Sequence, residues 1–170
     1  MQAKRGGFSI VEVLIVVAIL GITLAMAPRF RYGSMELTRI TDDTAQLLQR
    51  ARFEAIKRNV STFIKIDTSN GVIQVYTDDD TDGQLDTDGS DHLLQEITAS
   101  AYRTPISLNS TYTGNIIRWS PWGLPQTQNG ALGSGRITLS ASSQSKSSQS
   151  KSICISSAGR IRIQNGGSCS

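Results

Sequence analysis

The sequence has few of the side chains on which enzyme active sites depend. It contains one histidine, His92, and two cysteines among its 170 residues. His92 lies beside a run of aspartates without a recognisable nucleophile, base and acid, so a surface position at a strand edge is the simpler expectation. The glycine-rich stretch 130–135 lacks the Lys-Ser or Lys-Thr pair of a phosphate-binding loop, and the cysteine spacing does not match a zinc site. These absences disfavour an enzyme, and we expect no catalytic residues.

Long apolar runs are also scarce, with one exception near the N-terminus. Between Ile10 and Ala27 only Glu12 and Thr23 are polar. A helix of about 18–20 apolar residues is long enough to cross the hydrocarbon core of a bilayer. A secretory signal has small residues after its apolar part, whereas here Gly6 and Gly7 precede it. Cleavage after Gly7 would remove the basic leader and retain the helix.

This segment resembles the class III signal of type IV pilins and type II secretion pseudopilins. In that family a prepilin peptidase cuts after the glycine that matches Gly7 and N-methylates the new first residue, here Phe8. The acid at the fifth mature position corresponds to Glu12. The resemblance implies that Glu12 acts in assembly, by pairing with the methylated amine of Phe8 on a neighbouring subunit.

Glu12 is also unusual on physical grounds. A carboxylate within an apolar membrane helix costs roughly 2.5–3.5 kcal/mol on insertion scales, so it needs a partner or a position near the headgroups. The alternative to the assembly role is an acid that reaches water from the helix end.

Beyond Pro28 the pattern becomes that of an amphipathic helix, running from about 35 to 58. Small and apolar residues recur there at helical spacing, and charged residues occupy the other side. The recurring residues are Leu37, Ile40, Thr44, Leu47, Leu48, Ala51 and Ala55. We expect this helix to bury one face on a domain and to form one long spine with the apolar helix, with a kink at Pro28.

After residue 59 the sequence predicts strands and turns. The predicted strands are 60–67, 72–77, 92–97, 105–109, 114–119, 136–140, 152–156 and 160–164. A polar Ser/Lys-rich segment, 140–152, is predicted to be a loop that bulges between two strands. A helix followed by antiparallel strands is α+β architecture. The expected segments are a leader (1–7), a transmembrane and assembly helix (8–28), an amphipathic helix (29–58) and a β-rich globular domain (59–170).

An Asp-rich turn, a Ser-Pro-Trp-Gly turn at 120–123 and a terminal Gly-Arg-x-Arg hairpin resemble the GspH/FimT group of minor pilins and pseudopilins. The resemblance implies a pilin fold, with a long N-terminal helix packed on an antiparallel sheet. It also implies a single-pass protein of the bacterial inner membrane, with the β-domain in the periplasm or in an extracellular filament. The expected partners are other pilins or pseudopilins, prepilin peptidase and the membrane.

A domain translocated in this way lies in an oxidising compartment. There Cys154 and Cys169 are expected to form an intrachain disulfide. Two free thiols, or a bond to another chain, are the alternatives.

Residues 78–91 carry seven aspartates and no lysine or arginine. The spacing of Asp78, Asp80 and Asp82, followed by Gly83, is similar to the start of an EF-hand calcium loop. Gly89 stands where that loop has a bidentate glutamate, and the candidates to compensate are Asp86, Asp88 and Asp91. Calcium is therefore the one cofactor that the sequence suggests, with Asp78, Asp80, Asp82 and Asp86 as ligands. An acidic, solvated hairpin tip is the alternative.

The part of the chain from residue 92 onward is basic, with seven lysines and arginines against Glu96 alone. Arg160 and Arg162 are two apart on a predicted strand and therefore share a face, with Ile161 and Ile163 turned to the core. Paired guanidinium groups suit phosphate oxygens.

Some minor pilins of the GspH/FimT group bind DNA through such a C-terminal motif. The resemblance thus makes DNA a candidate partner of Gly159, Arg160 and Arg162, with Lys146 and Lys151 adding phosphate contacts. The alternative is a strand with two solvated arginines.

These patterns together predict a minor type IV pilin, a membrane-anchored subunit incorporated into a filament, with an assembly, tip or DNA-uptake role. A type II secretion pseudopilin of the GspH type and a DNA-binding minor pilin for natural transformation are the alternatives.

Overall fold

The computed structural model describes residues 9–25, 32–141 and 149–169, and the chain separates into two compact units, 1–31 and 32–170. In the first unit, helix α1 spans Ile10–Ala25. Its start follows from Ser9, whose hydroxyl accepts the Val11 N–H at 3.4 Å, as serine does at helix N-termini. The predicted leader, Gly7, Phe8 and Pro28 lie outside the described residues.

In the described ranges, no helix combines the length and apolarity needed to cross a membrane. The span predicted at 8–28 extends at both ends into residues outside the described part of the chain.

In the second unit, helix α2 spans Tyr32–Arg58 and has the predicted amphipathic character. All seven residues expected on its inner face are buried. The helix begins at Tyr32 rather than near residue 35. At its end, Glu54 forms ion pairs with Lys57 at 3.6 Å and Arg58 at 3.0 Å, and Asn59 adopts a left-handed φ of 57°, an arrangement typical of helix C-termini.

Nine short strands follow within the described residues. They are β1 (Thr62–Asp67), β2 (Val72–Thr77), β3 (His92–Thr98), β4 (Ile106–Ser110), β5 (Ile116–Trp119), β6 (Pro125–Gln126), β7 (Gly135–Ala141), β8 (Gln149–Ile155) and β9 (Ile161–Asn165). The two-residue strand β6 is too short to be recognised in the sequence. His92 is exposed at the first position of β3, as the sequence indicated.

The strands form two antiparallel sheets. The first sheet has the order β3-β2-β1-β5-β6 and the second the order β4-β7-β8-β9. The predicted turn at 69–71 joins β1 to β2, where the Asp67 carboxylate accepts the N–H groups of Ser69 and Asn70 at 3.0 and 2.9 Å. Gly71 takes a φ of +67° there, a conformation that glycine adopts without strain.

Helix α2 contacts strands of both sheets, and the core lies between them. Alternate side chains of the strands point into this core, among them Ile64 and Trp119 of the first sheet and Leu139 and Ile153 of the second. A helix packed on antiparallel sheets confirms the predicted α+β architecture.

Two sequence-based expectations were wrong in detail. The Ser/Lys-rich segment is not a loop throughout, because Ser140 and Ala141 pair with Ser150 and Gln149 as the ends of β7 and β8. Backbone pairing continues there despite the polar side chains, and only 142–148 lies outside the described residues. Ile163 faces the core side of β9 opposite Ile153 but is 39% exposed, because β9 is the edge of its sheet.

Candidate functional site

Glu12 occupies the first turn of α1 and is exposed. Its backbone N–H donates to the Ser9 carbonyl at 3.0 Å. No hydrogen-bond donor or cation among the described residues contacts its carboxylate. The large apolar side chains of α1 are exposed as well, so both the charge and the apolar surface of this helix are without partners in the described part of the chain. Gly7 and Phe8, the predicted processing site, lie outside it.

Three arginines meet on the outer face of the second sheet. Arg136 of β7 is the cross-strand partner of Cys154, which is in turn the partner of Arg162 on β9. Arg136, Cys154 and Arg162 therefore form one row across the sheet. Arg160 lies beside this row, in the turn between β8 and β9. They line a groove of about 710 Å³, the arginine groove, together with hydroxyl and amide groups. Its other lining residues are Thr111, Ser134, Gly135, Ile155, Ser156, Gln164 and Cys169.

The arginine groove has a composition suited to anions. Among the described residues, no acidic or aromatic side chain lines it. Guanidinium groups present planar sets of N–H donors that match phosphate oxygens, and hydroxyl groups can add further donors. The geometry therefore favours phosphate groups over stacked bases.

A disulfide forms one wall of the groove. Cys154 of β8 is bonded to Cys169, with 5.8 Å between the Cα atoms. The bond holds the tail that follows β9 against β8, on the same face as Arg162. The predicted intrachain pairing is thus present in the structure.

Gly159, which the sequence placed in the phosphate-binding motif, does not line the groove. It is buried with a φ of +78°, and a Cβ atom there would lie 2.8 Å from the Gly123 carbonyl oxygen. Its own carbonyl accepts Arg52 Nη1 of α2 at 2.8 Å, and the Arg52 guanidinium lies over the Trp119 ring. Gly159 therefore allows close packing of the β8–β9 turn on α2 and on the 120–123 turn.

Of the two predicted lysines, Lys151 does not line the groove. Lys151 is three residues from Cys154 on β8 and so has the opposite orientation, with a half-buried side chain. Lys146 lies outside the described residues. Arg136 does line the groove, but it was not identified from the sequence because its position beside Cys154 depends on strand register.

The acidic loop, residues 78–91, joins β2 to β3. Because Thr77 pairs with His92, the next residues along the two strands, Asp78 and Asp91, face each other at the base of this loop. Both are buried, with exposed fractions of 2% and 6%. Gly83 takes a φ of +79° in the loop, which provides a sharp bend of the kind that an EF-hand loop has at its glycine.

The carboxylates of the acidic loop converge in two overlapping groups. One oxygen each of Asp78, Asp80 and Asp91 lie within 4.8 Å of one another, and the same holds for Asp80, Asp82 and Asp86. The four predicted ligands do not form one group. They are divided between two triads that share Asp80, and the first triad also contains Asp91, which was not among the four.

Asp88 lies outside both triads, and its carboxylate accepts the hydroxyl and N–H of Ser90 at 2.7 and 3.1 Å. The hydroxyl bond, with the N–H bond, lowers the pKa of Asp88.

Burial raises the pKa of Asp78 from its ordinary value of 3.8, and Asp91 adds to that rise. Ionised Asp78 therefore opposes folding. Protonated Asp78 contributes to the stability of the fold. This contribution is fully present below pH 3.8 and is lost as the pH rises through the higher pKa of the folded state. Loss of solvent and the surrounding carboxylates raise the pKa of Asp86 in the same direction.

Arg118 is the cation whose charge lowers the pKa of Asp78, against the effect of burial, but it is not ion-paired with Asp78 or Asp91. The Arg118 guanidinium donates to the Ser61 hydroxyl through Nε and Nη2, at 3.0 and 2.9 Å, and lies over the Phe63 ring at 5.7 Å. The ion pairs of the described residues join Glu54 to Lys57 and Arg58, and none of them includes Asp78 or Asp91.

Comparison with solved structures shows a common fold. The minor pseudopilin EpsH of the type 2 secretion system of Vibrio cholerae is similar with a TM-score of 0.56 at 12% identity, over 78% of this chain and 99% of that chain. The type IV minor pilin FimU of Pseudomonas aeruginosa gives a TM-score of 0.50 at 16% identity, over 81% of this chain and 97% of that chain. No curated protein sequence matches the chain.

Two family models match the sequence. Residues 2–28 match the prokaryotic N-terminal methylation motif. Residues 41–159, from within α2 to Gly159 and so more than half of the chain, match the family described as type II transport protein GspH. The chain therefore belongs to the GspH family of pilin-like proteins and carries a prepilin-type methylation motif, as the N-terminal segment and the Gly-Arg-x-Arg hairpin had indicated.

Proposed function

We propose that the chain is a minor type IV pilin, a single-pass subunit of the bacterial inner membrane that enters a filament. The observation that carries the proposal is the succession, in one chain, of a methylation motif at 2–28 and a GspH domain at 41–159. Prepilin peptidase would process the first segment, and the β-rich domain would lie in the periplasm or in the filament. The role is assembly rather than catalysis.

The surface of α1 supports this role. Its exposed apolar side chains need a nonpolar environment, which the bilayer provides before assembly and neighbouring helices provide in a filament. Glu12, whose carboxylate has no partner among the described residues, would then pair with the N-methylated amine of Phe8 on another subunit. In the second unit, Phe53, Ile56 and Trp122 are also exposed and are available for contacts with neighbouring subunits.

Processing and assembly can be tested separately in native cells. We expect the intact mass of the membrane-purified protein to correspond to a chain that begins at N-methyl-Phe8, and Gly7→Val to leave the precursor uncut. Glu12→Ala should give a cleaved protein that stays in the membrane and is missing from sheared filaments. Thr23→Ala is the matched control, because its hydroxyl bonds within the helix to the Leu20 carbonyl. A leader retained on the wild-type chain would refute the proposal.

The description of the matching family favours a second candidate, a type II secretion pseudopilin of the GspH type. The two candidates differ in the phenotype of a deletion strain. Loss of surface pili with normal exoprotein secretion identifies a minor pilin. Normal pili with exoproteins retained in the periplasm identifies a pseudopilin.

The arginine groove supports an additional role in binding the phosphate backbone of DNA, as a minor pilin for DNA uptake would. Arg136, Arg160 and Arg162 can each contact a phosphate, and the acidic loop belongs to the other sheet. In the part of the chain that the structure describes, no aromatic side chain lines the groove, so affinity would depend on phosphate contacts rather than on base stacking. With a slope of about −0.9 per phosphate, three contacts give a slope near −3 for log affinity against log salt concentration.

Fluorescence anisotropy with the full chain in a non-ionic detergent tests this role. We expect weak binding to duplexes of unrelated sequence, and loss of binding in Arg160→Gln with Arg162→Gln at an unchanged melting temperature. The matched control is Arg50→Gln with Arg103→Gln, which removes two exposed arginines outside the groove. Equal binding by the two double variants would show that the groove is not the binding site.

A further inference from the structure

Two buried carboxylates face each other where the acidic loop begins and ends. Asp78 follows β2 and Asp91 precedes β3, one position beyond the Thr77–His92 pair. Like charges directly opposite each other on paired strands are destabilising, and burial increases their repulsion. Such a pair needs a shared proton or a cation to balance it.

One oxygen of this pair has no hydrogen-bond partner among the described residues. Asp91 Oδ2 accepts the Asp86 N–H at 2.8 Å, but the buried Oδ1 accepts no hydrogen bond from any described residue. Asp91 as a whole is only 6% exposed. A buried, unsatisfied carboxylate oxygen carries a full desolvation cost. Arg118 donates to the Ser61 hydroxyl rather than to this oxygen, so its charge acts on the pair without a hydrogen bond to Asp91 Oδ1.

The arrangement around Asp91 is that of an oxygen-rich cation site. Asp80 brings a third carboxylate from the exposed side of the loop to within 4.8 Å of Asp78 and Asp91. We propose that Asp78, Asp80 and Asp91 bind one Ca²⁺ ion, with Asp82 and Asp86 next to it in the second triad. Ca²⁺ accepts six to eight oxygen ligands in flexible geometry, whereas Mg²⁺ requires a near-octahedral shell and retains several waters. An irregular loop rich in carboxylates therefore suits Ca²⁺ better.

Ca²⁺ would connect the two ends of the acidic loop to each other. It would neutralise the Asp78–Asp91 repulsion and fix the start of β3, the edge strand of the first sheet. This role is independent of filament assembly and of the arginine groove, so either proposal can fail without the other.

Calorimetry of the full chain, purified in a non-ionic detergent and stripped with a chelator, tests the site. We expect one Ca²⁺ per chain, with a dissociation constant on the order of 10⁻⁴ to 10⁻³ M, as in extracellular calcium modules. Ca²⁺ at 100 times that constant should raise the melting temperature, and Mg²⁺ should bind more weakly. Asp91→Asn should weaken Ca²⁺ binding by about tenfold or more, because it changes the ligand with the unpartnered oxygen.

Asp88→Asn is the matched control, since it removes the same charge from the same loop but lies outside both triads. It should leave binding unchanged. If Asp91→Asn does not fold, Asp80→Asn replaces it as the variant expected to weaken Ca²⁺ binding, because Asp80 is exposed and belongs to both triads. At 10 mM Ca²⁺, a site with a dissociation constant on the order of 10⁻³ M would be near saturation. The absence of both a heat signal and a melting shift at that concentration overturns the proposal in favour of a shared proton. Equal effects of Asp88→Asn and Asp80→Asn overturn it in favour of diffuse attraction to an acidic loop.

Discussion

Gly159 shows how a single residue can have a different role from the one its sequence motif suggests. It belongs to the Gly-Arg-x-Arg pattern from which the sequence analysis predicted DNA contacts, yet its surroundings are Arg52 of α2 and the Gly123 carbonyl. The arginines of the pattern reach the groove, whereas the glycine fits a narrow space behind it.

We expect Gly159→Ala to destabilise the fold. A positive φ costs a non-glycine residue about 1–3 kcal/mol, and the new methyl group would also collide with the Gly123 carbonyl 2.8 Å away. The free energy of unfolding in urea measures the loss. Gly166→Ala is the matched control: its φ is +92°, but a Cβ atom there meets nothing within 4 Å. Equal losses in the two variants would show that the close contact has no energetic weight.

At the scale of elements, β8 and β9 are held together by hydrogen bonds and by the Cys154–Cys169 bond. The bond closes a loop of 15 residues that contains all of β9. Because β9 is an edge strand with exposed side chains, it has less buried apolar surface to hold it than the central strands have.

Replacing both cysteines with serine should therefore lower the free energy of unfolding by about 3 kcal/mol, the chain-entropy value for a loop of this length. Guanidinium titration of the parent and of the Cys154→Ser, Cys169→Ser double variant measures the difference. A reducing agent should lower the stability of the parent to that of the variant and leave the variant unaffected. A variant as stable as the oxidised parent would contradict this expectation.

Elements that bury one face were predictable from the sequence, whereas elements whose side chains are polar on both faces were not. The α2 periodicity is visible because seven of its residues must be buried together. The polar ends of β7 and β8 gave no such signal, since their pairing at Ser140–Ser150 uses the backbone. The exposure of Ile163 was missed because sequence alternation does not show which strand lies at a sheet edge.

For the molecule as a whole, the sequence was sufficient for the α+β architecture and the family, because the methylation motif and the amphipathic helix are local patterns. It was insufficient for the sites, which bring together residues that are distant in the chain. Arg136 joins Arg162 through strand register, and Arg52 reaches Gly159 across 107 residues. Asp91 faces Asp78 only because β2 and β3 pair.

The disulfide also determines how the domain would respond to a pulling force. A force applied to the last residues would act on Cys169 and pass directly to Cys154, bypassing β9. The segment between them, which corresponds to a sequence separation of 15, would then add no contour length when the subunit is stretched. At about 3.3–3.6 Å per extended residue, the disulfide reduces the length to which the chain can be extended by roughly 50 Å. The C-terminal end of the domain would thus behave as an inextensible loop, and stretching would proceed through the hairpins that precede it.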